Sequence, residues 1–137
     1  MTAAEKLALA QRSYAAFSAG LDVEALIPLY HPECEWRVGY IGAALGTDIF
    51  RGHDGLREIA SAIDEGFQSY ATEIDEAKTT REGVLLLRFH IQARSRGTHI
   101  ELSLQAWQQI EFSDDLILSV AQFDERPTGW DDATPIS

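Results

Sequence analysis

Gln108 stands alone among apolar residues. Taken alternately, one side of a long two-strand stretch reads Leu85, Leu87, Phe89, Ile91, Ala93, then Ile100, Leu102, Leu104, Ala106, Gln108, Ile110 and Phe112. An amide both donates and accepts hydrogen bonds, so one placed on an apolar wall can orient a bound carbonyl or enol. It can equally be a buried amide satisfied by a neighbouring side chain. Tyr14, on the buried stripe of an amphipathic helix, is a second candidate donor, or else plain core. Other chemistry finds little material. His31, His53, His90 and His99 are scattered, with no pair at ligand spacing, so no metal site and no cofactor are expected. His31 reads as a turn residue before Pro32, and His53 as a helix-start residue. Ser13 and Cys34 lack a visible base. Neither a glycine-rich phosphate loop nor a nucleophile elbow is present.

These residues must be held by a definite set of elements. Ala3, Leu7, Ala10, Tyr14 and Phe17 recur at helical spacing, and Gly20 follows as a stop. Asp22 can cap a second helix with Val23, Leu26, Ile27 and Tyr30 inward, loosened at Pro28 and ended by Pro32. Cys34, Trp36 and Val38 alternate with Glu35 and Arg37 as a short strand. Residues Gly39 to Gly52 read as a long loop over one end of the fold. A third helix is predicted from Asp54 to Gly66, with Leu56, Ile59, Ala60, Ile63 and Phe67 on one side. Four strands follow: Tyr70 to Thr79, Val84 to Arg94, Ile100 to Phe112 and Leu116 to Asp124.

The central hairpin carries a register. On its polar face Arg88, His90, Gln92 and Arg94 are even-numbered, whereas His99, Glu101, Ser103, Gln105, Trp107, Gln109 and Glu111 are odd, so the faces match only if paired numbers have an odd sum. A two-residue type II′ turn at Gly97-Thr98 sets Arg94 opposite Glu101, His90 opposite Gln105, Arg88 opposite Trp107 and Leu87 opposite Gln108. A four-residue turn shifted by two also keeps parity.

With 137 residues the chain makes one domain, residues 1–125, followed by a tail, 126–137. Its net charge of −11 argues against nucleic-acid and anionic-membrane partners. The start of the sequence lacks a basic segment with an apolar run, and no stretch approaches the roughly 20 apolar residues of a membrane span, so a cytoplasmic location is expected. A single cysteine, Cys34, rules out an internal disulfide and reads as a small buried hydrophobe.

Three segments carry a family resemblance: Tyr14-Ala15-Ala16-Phe17 before Gly20; Leu29-Tyr30-His31-Pro32-Glu33-Cys34-Glu35-Trp36-Arg37; and Phe50-Arg51-Gly52-His53-Asp54-Gly55-Leu56-Arg57-Glu58. They resemble the SnoaL-like branch of the nuclear transport factor 2-like superfamily. The resemblance implies an α+β fold, a cone-shaped curved antiparallel sheet wrapped around three helices (a cystatin-like α+β barrel), with Arg51-Gly52 turning into the third helix. It implies no single activity, because the superfamily includes isomerases, cyclases, epoxide hydrolases, dehydratases and binding modules.

Carried over residue by residue, the ketosteroid isomerase machinery would fall on Ser13 or Tyr14, Val38 and Gln108, and a valine cannot abstract a proton. Limonene epoxide hydrolases need an arginine inside the pocket, whereas Arg88 and Arg94 fall on the polar face. SnoaL-like cyclases use one pocket carboxylate, and the candidate here is Asp124, its pKa raised if Trp36 and the leucine wall dry it. The other reading leaves Asp124 in water at a strand end.

The leading expectation is therefore a small hydrophobic molecule bound by Tyr14, Trp36, Phe89, Gln108 and Gln122. Alternatives are an acid/base enzyme of cyclase, isomerase or dehydratase type using Asp124, and a non-catalytic assembly domain. Trp107, beside Arg88 and His90 on the polar face, is an aromatic in search of cover. Since resembled proteins commonly pair through this surface, a homodimer interface is expected there. Trp130 is expected to be disordered or packed on a second subunit rather than closed over the pocket mouth.

Overall fold

The computed structural model describes residues 1–18, 20–38 and 49–136. Thr2 and Glu5 start the first helix, α1 (Ala3–Ser18), by a reciprocal pair of bonds. The Glu5 N–H donates to Thr2 Oγ1 (3.1 Å) and the Thr2 N–H to Glu5 Oε1 (2.9 Å). Leu9, Ala10, Tyr14 and Phe17 form its buried stripe. The second helix is one turn, α2 (Val23–Leu26), continued by a 3-10 turn at Ile27–Leu29, because Pro28 cannot donate to a longer α-helix. Tyr30, expected on that helix, instead opens strand β1 (Tyr30–Arg37). Pro32 lies inside β1, at the register shift between Tyr30 and Glu35 where no ladder bond is required of it.

Of the expected loop from Gly39 to Gly52, residues 39–48 lie outside the described residues. Ile49–Arg51 forms a short strand, β2, paired with β1. Gly52, at φ +66°, makes the expected turn into helix α3 (Gly52–Gly66), two residues earlier than predicted. Gly55 lets that helix sit against Phe50, since an added Cβ would meet the Phe50 carbonyl carbon at 2.9 Å. Phe67, expected on the helix face, begins strand β3 (Phe67–Thr79), so this strand starts three residues early.

Strands β4 (Leu85–Ser95), β5 (Glu101–Ser113), β6 (Leu116–Phe123) and β7 (Thr134–Pro135) complete a seven-stranded sheet, in the order β2-β1-β6-β5-β4-β3-β7. All pairings are antiparallel except β1 with β6, which run parallel. The helices lie within the curve of this sheet, so the fold is the expected α+β cone. No helix among the described residues is long and apolar enough to cross a membrane.

The hairpin register is the predicted one: Arg94 faces Glu101, His90 faces Gln105, Arg88 faces Trp107 and Leu87 faces Gln108. The turn is wider than the predicted two residues. Ser95 N–H donates to the Ile100 carbonyl (2.9 Å), leaving residues 96–99 as the connection, with Gly97 at φ +80° and His99 at φ +54°. Ser95 Oγ holds it by accepting the Ile100 N–H (3.0 Å) and pairing with Thr98 Oγ1 (2.7 Å).

On the inner face, Leu85, Leu87, Ala106, Ile110, Ile117 and Val120 are buried in the core with Leu26, Leu29 and Tyr30. The outer face differs from expectation. Leu86 is buried there beneath Trp130 and Ala133, with Val84 and Trp107 at the margin. Trp130 is therefore neither disordered nor left for a second subunit. Lys78 Nζ donates to its carbonyl (3.0 Å) and lies 4.6 Å from its ring centre, while β7 pairs with Lys78 and Thr79 of β3. Trp130 and Ala133 thus cover the outer face, while β7 extends the sheet and Ile136 packs against the main core.

Candidate functional site

A cavity of about 290 Å³, open at one end, lies between α1, α3 and the sheet. Helix α1 contributes Tyr14 and Phe17, α3 contributes Ile59 and Ile63, and the end of β1 brings Trp36, with Val38 just beyond. Strands β3 to β6 supply Phe67, Tyr70, Thr72, Phe89, Ile91, Ala93, Leu102, Leu104, Gln108 and Gln122. By the liquid volume of water, that space equals about ten molecules at ~30 Å³ each. A lining this apolar favours an organic ligand over water.

Two ring contacts stiffen the wall. Phe17 meets Trp36 edge-on with centres 6.0 Å apart, and Tyr14 meets Phe89 at 5.2 Å. The Trp36 indole N–H is already committed, donating to Tyr30 Oη at 3.1 Å, and Tyr30 Oη also bonds Ser13 Oγ at 2.9 Å. Burial pushes the Tyr30 phenol up to about 12, although the bonds from Ser13 and Trp36 work against it. Trp36 thus offers the cavity a ring face and no free donor.

Besides Tyr70 and Thr72, the polar part of the wall among the described residues is one line of side chains. Tyr14 Oη donates to Gln108 Oε1 (2.5 Å), and Gln108 Nε2 donates to Gln122 Oε1 (3.2 Å). Gln108 and Gln122 are cross-strand partners of β5 and β6, so their side chains share a face by construction. The line ends at Gln122 Nε2, which is buried with no hydrogen-bond partner among the described residues. Leaving such a donor unmade costs roughly 1–3 kcal/mol. Desolvation holds the Tyr14 phenol well above its ordinary 10, with the nearby Tyr30 and Tyr70 adding to the shift. Tyr14 therefore keeps its proton and acts as a donor.

All five expected ligand-binding residues, Tyr14, Trp36, Phe89, Gln108 and Gln122, line this space. The positions carried over from the isomerases, Tyr14, Val38 and Gln108, meet here too, with a valine where a base would stand. Asp124 does not join them. Strand β6 ends at Phe123, so the chain leaves the sheet one residue before parity would turn Asp124 inward, and its side chain is exposed. Among the described residues no carboxylate, histidine, lysine or arginine lines the cavity. Nor does any group of three or more His, Cys, Asp or Glu among them suit a metal ion.

The histidines have structural partners. His53 Nε2 bonds the Tyr30 carbonyl (3.0 Å) at the start of α3, and His31 Nε2 lies 3.3 Å from Asp114. Cys34 is buried in the core, and burial raises its thiol. Arg88, His90 and Trp107 lie together on the outer face as expected. The ring of Trp107 is half-buried beside Trp130, so the cover that its exposure called for is supplied within one chain. Missed by sequence reasoning as lining were Ile59, Ile63, Phe67, Thr72, Leu102 and Leu104. The helical stripe of α3 and the alternation of β5 both pointed to that side, but neither told solid core from hollow.

At its mouth the cavity meets an open polar groove, sharing Phe67, Tyr70, Ala93 and Leu102 with it. Charges there are paired: Arg94 with Glu101 at 3.1 Å and Arg96 with Asp64 at 3.6 Å.

A curved sheet closed on helices around a lined cavity is the architecture of cystatin-like and nuclear transport factor 2-like proteins. The chain belongs to the SnoaL-like domain family, whose model matches residues 10–120. No curated protein sequence matches it. Among solved structures it is similar to a cystatin-fold protein from Novosphingobium aromaticivorans, with 17% identity, 90% of this chain and 98% of that one covered, and a TM-score of 0.70. It is also similar to TerC co-crystallised with polyporic acid (15% identity, 87% and 90% covered, TM-score 0.76). A third is a nuclear transport factor 2-like protein from Burkholderia pseudomallei K96243 (14% identity, 89% and 90% covered, TM-score 0.75). Identities this low show the fold alone.

Proposed function

We propose that this SnoaL-like protein binds a small, neutral, mostly apolar molecule in the space between α1, α3 and the sheet. The observation that carries the reading is the lining: among the described residues it is mostly aromatic and aliphatic, with the Tyr14–Gln108–Gln122 line on one side. A charged ligand would meet no counter-charge among the described lining residues, which is costly in such surroundings. The acid/base alternative finds no carboxylate at the cavity among the described residues, and Asp124 is exposed. That TerC, of the same fold, was co-crystallised with polyporic acid is in keeping with an organic ligand here.

Titration with N-phenyl-1-naphthylamine, an uncharged probe that brightens in apolar surroundings, tests the reading. One saturable site per chain is expected, lost in Ala93→Leu, where the added side chain takes up cavity space. Linear, unsaturable brightening, or equal binding by the filled variant, would overturn it.

A homodimer through the outer face is a separate proposal. What supports it is the part of Trp107 that stays exposed beside the half-exposed Arg88 and His90 on the outer face. Sedimentation as a monomer at micromolar concentration would remove it.

A further inference from the structure

We infer that Tyr14 fixes the hydrogen-bond polarity of the cavity, so that Gln122 meets the ligand as a donor and the site selects a neutral molecule bearing one acceptor oxygen, such as a ketone, ether or quinone carbonyl. The inference rests on the binding reading above and adds a chemical class to it.

The argument is one of direction. A tyrosine hydroxyl has a single hydrogen, and Tyr14 gives it to Gln108 Oε1. Each glutamine carries its acceptor and donor on opposite sides of the amide. With the Gln108 oxygen held by Tyr14, its nitrogen faces Gln122 and binds that oxygen at 3.2 Å. The second amide must then leave its nitrogen as the free end: Gln122 Nε2 is buried without a partner among the described residues, and since Gln122 lines the cavity, a turn of its side chain brings that donor to an acceptor that enters. Turning both amides over would take away the acceptor of the Tyr14 hydrogen, which has no other hydrogen-bond partner among the described residues. Because burial keeps Tyr14 protonated, the direction holds across ordinary pH. Tyr14 is in this account a positioning residue, and Gln122 the residue that touches ligand.

Three neutral bicyclic probes of similar size separate the possibilities by displacement of N-phenyl-1-naphthylamine: 1-indanone accepts a hydrogen bond, indole donates one, and indane does neither. The wild-type protein is expected to bind 1-indanone about three- to tenfold more tightly than indane, and indole no better than indane. Gln122→Leu should erase the 1-indanone advantage while retaining indane. Tyr14→Phe frees both amides to turn, so the 1-indanone advantage should fall and indole should gain on indane, a reversal that loss of packing alone would not produce. Equal binding of all three by wild type, a wild-type preference for indole, or an unchanged 1-indanone advantage in Gln122→Leu would each overturn the inference and leave the cavity reading standing. Failure of every probe, indane included, would bring down the binding reading and this inference with it.

Discussion

The inner face of the β4–β5 hairpin has two ends built from similar residues with opposite fates. At one end Leu85, Leu87, Ala106 and Ile110 are buried to within 2% exposure against Leu26, Leu29, Ile117 and Val120. Toward the other, Ile91, Ala93, Leu102 and Leu104 line the hollow, and Leu104 and Ile100 are 37% and 57% exposed. Both ends alternate apolar and polar along the strands. What differs is what lies opposite: the α2 and 3-10 segment and the start of β1 fill the first end, whereas α1 and α3 leave space at the second. The outer surface follows the same division. Trp130 covers Leu86 behind the solid end, and behind the hollow end the sheet presents His90, Gln92 and Arg94. One sheet serves as foundation at one end and container at the other.

The sharpest way to break this comparison is a pair of matched truncations followed by denaturant unfolding. Leu87→Ala at the solid end should cost about 3–5 kcal/mol, because a filled core cannot collapse fully around the void. Leu104→Ala at the hollow end should cost less than about 1 kcal/mol, since its side chain already borders open space. Equal losses would show the two ends to be packed alike. Next in size is Trp130→Ala, which uncovers Leu86 and part of Trp107. A loss of about 2–4 kcal/mol is expected, with tryptophan emission shifting toward that of a solvated ring. A neutral result would mean that the outer layer adds nothing to the foundation.

The smallest effect is a pH dependence at the hollow end. His90 Nδ1 lies 3.0 Å from Asp75, and Nε2 lies 3.6 Å from Glu73. The bond to Asp75 raises the His90 pKa above its ordinary 6.5, with desolvation opposing and the charges of Asp75 and Glu73 assisting. A raised native pKa gives stabilisation that is complete below about 6.5 and is lost as pH climbs through the native value. Urea midpoints should therefore decline over that window in the wild-type protein and stay flatter in His90→Gln. Identical profiles would remove His90 as the source.

Much of this was legible in the chain. Parity along β4 and β5 defined the register, because a one-residue slip would have thrown every leucine outward, and the same parity put Gln108 inside. Asp124 was misplaced by parity extended one residue past the strand: alternation says which way a residue points only while the strand lasts. Pro32 misled as a helix stop because a register shift gave it a place inside β1. Leu86 was the overlooked signal. A leucine among the outward residues needs a cover, and the two candidate covers were a second subunit or the chain's own Trp130. Gln108 was the one mark the hollow left in the sequence; its extent left none, since solid and empty walls use the same apolar side chains.

Strand β3 stands at the rim of the sheet, 13 residues long, and β7 takes up only Lys78 and Thr79 of it. Ser18 Oγ also occupies the Thr72 N–H (3.0 Å) and the Ile136 N–H bonds the Ala77 carbonyl (2.9 Å), and the stretches of rim between are a template on which a strand from another molecule can add, the first step toward fibrils. Several features discourage it: Pro135 has no N–H to extend the ladder, the register shift between Ile74 and Glu76 bends the strand, and Glu73, Asp75 and Glu76 bring like charges together. Shortening the chain at residue 125 would uncover Leu86 and take away the proline stop together, so the consequence would be colloidal as much as thermodynamic.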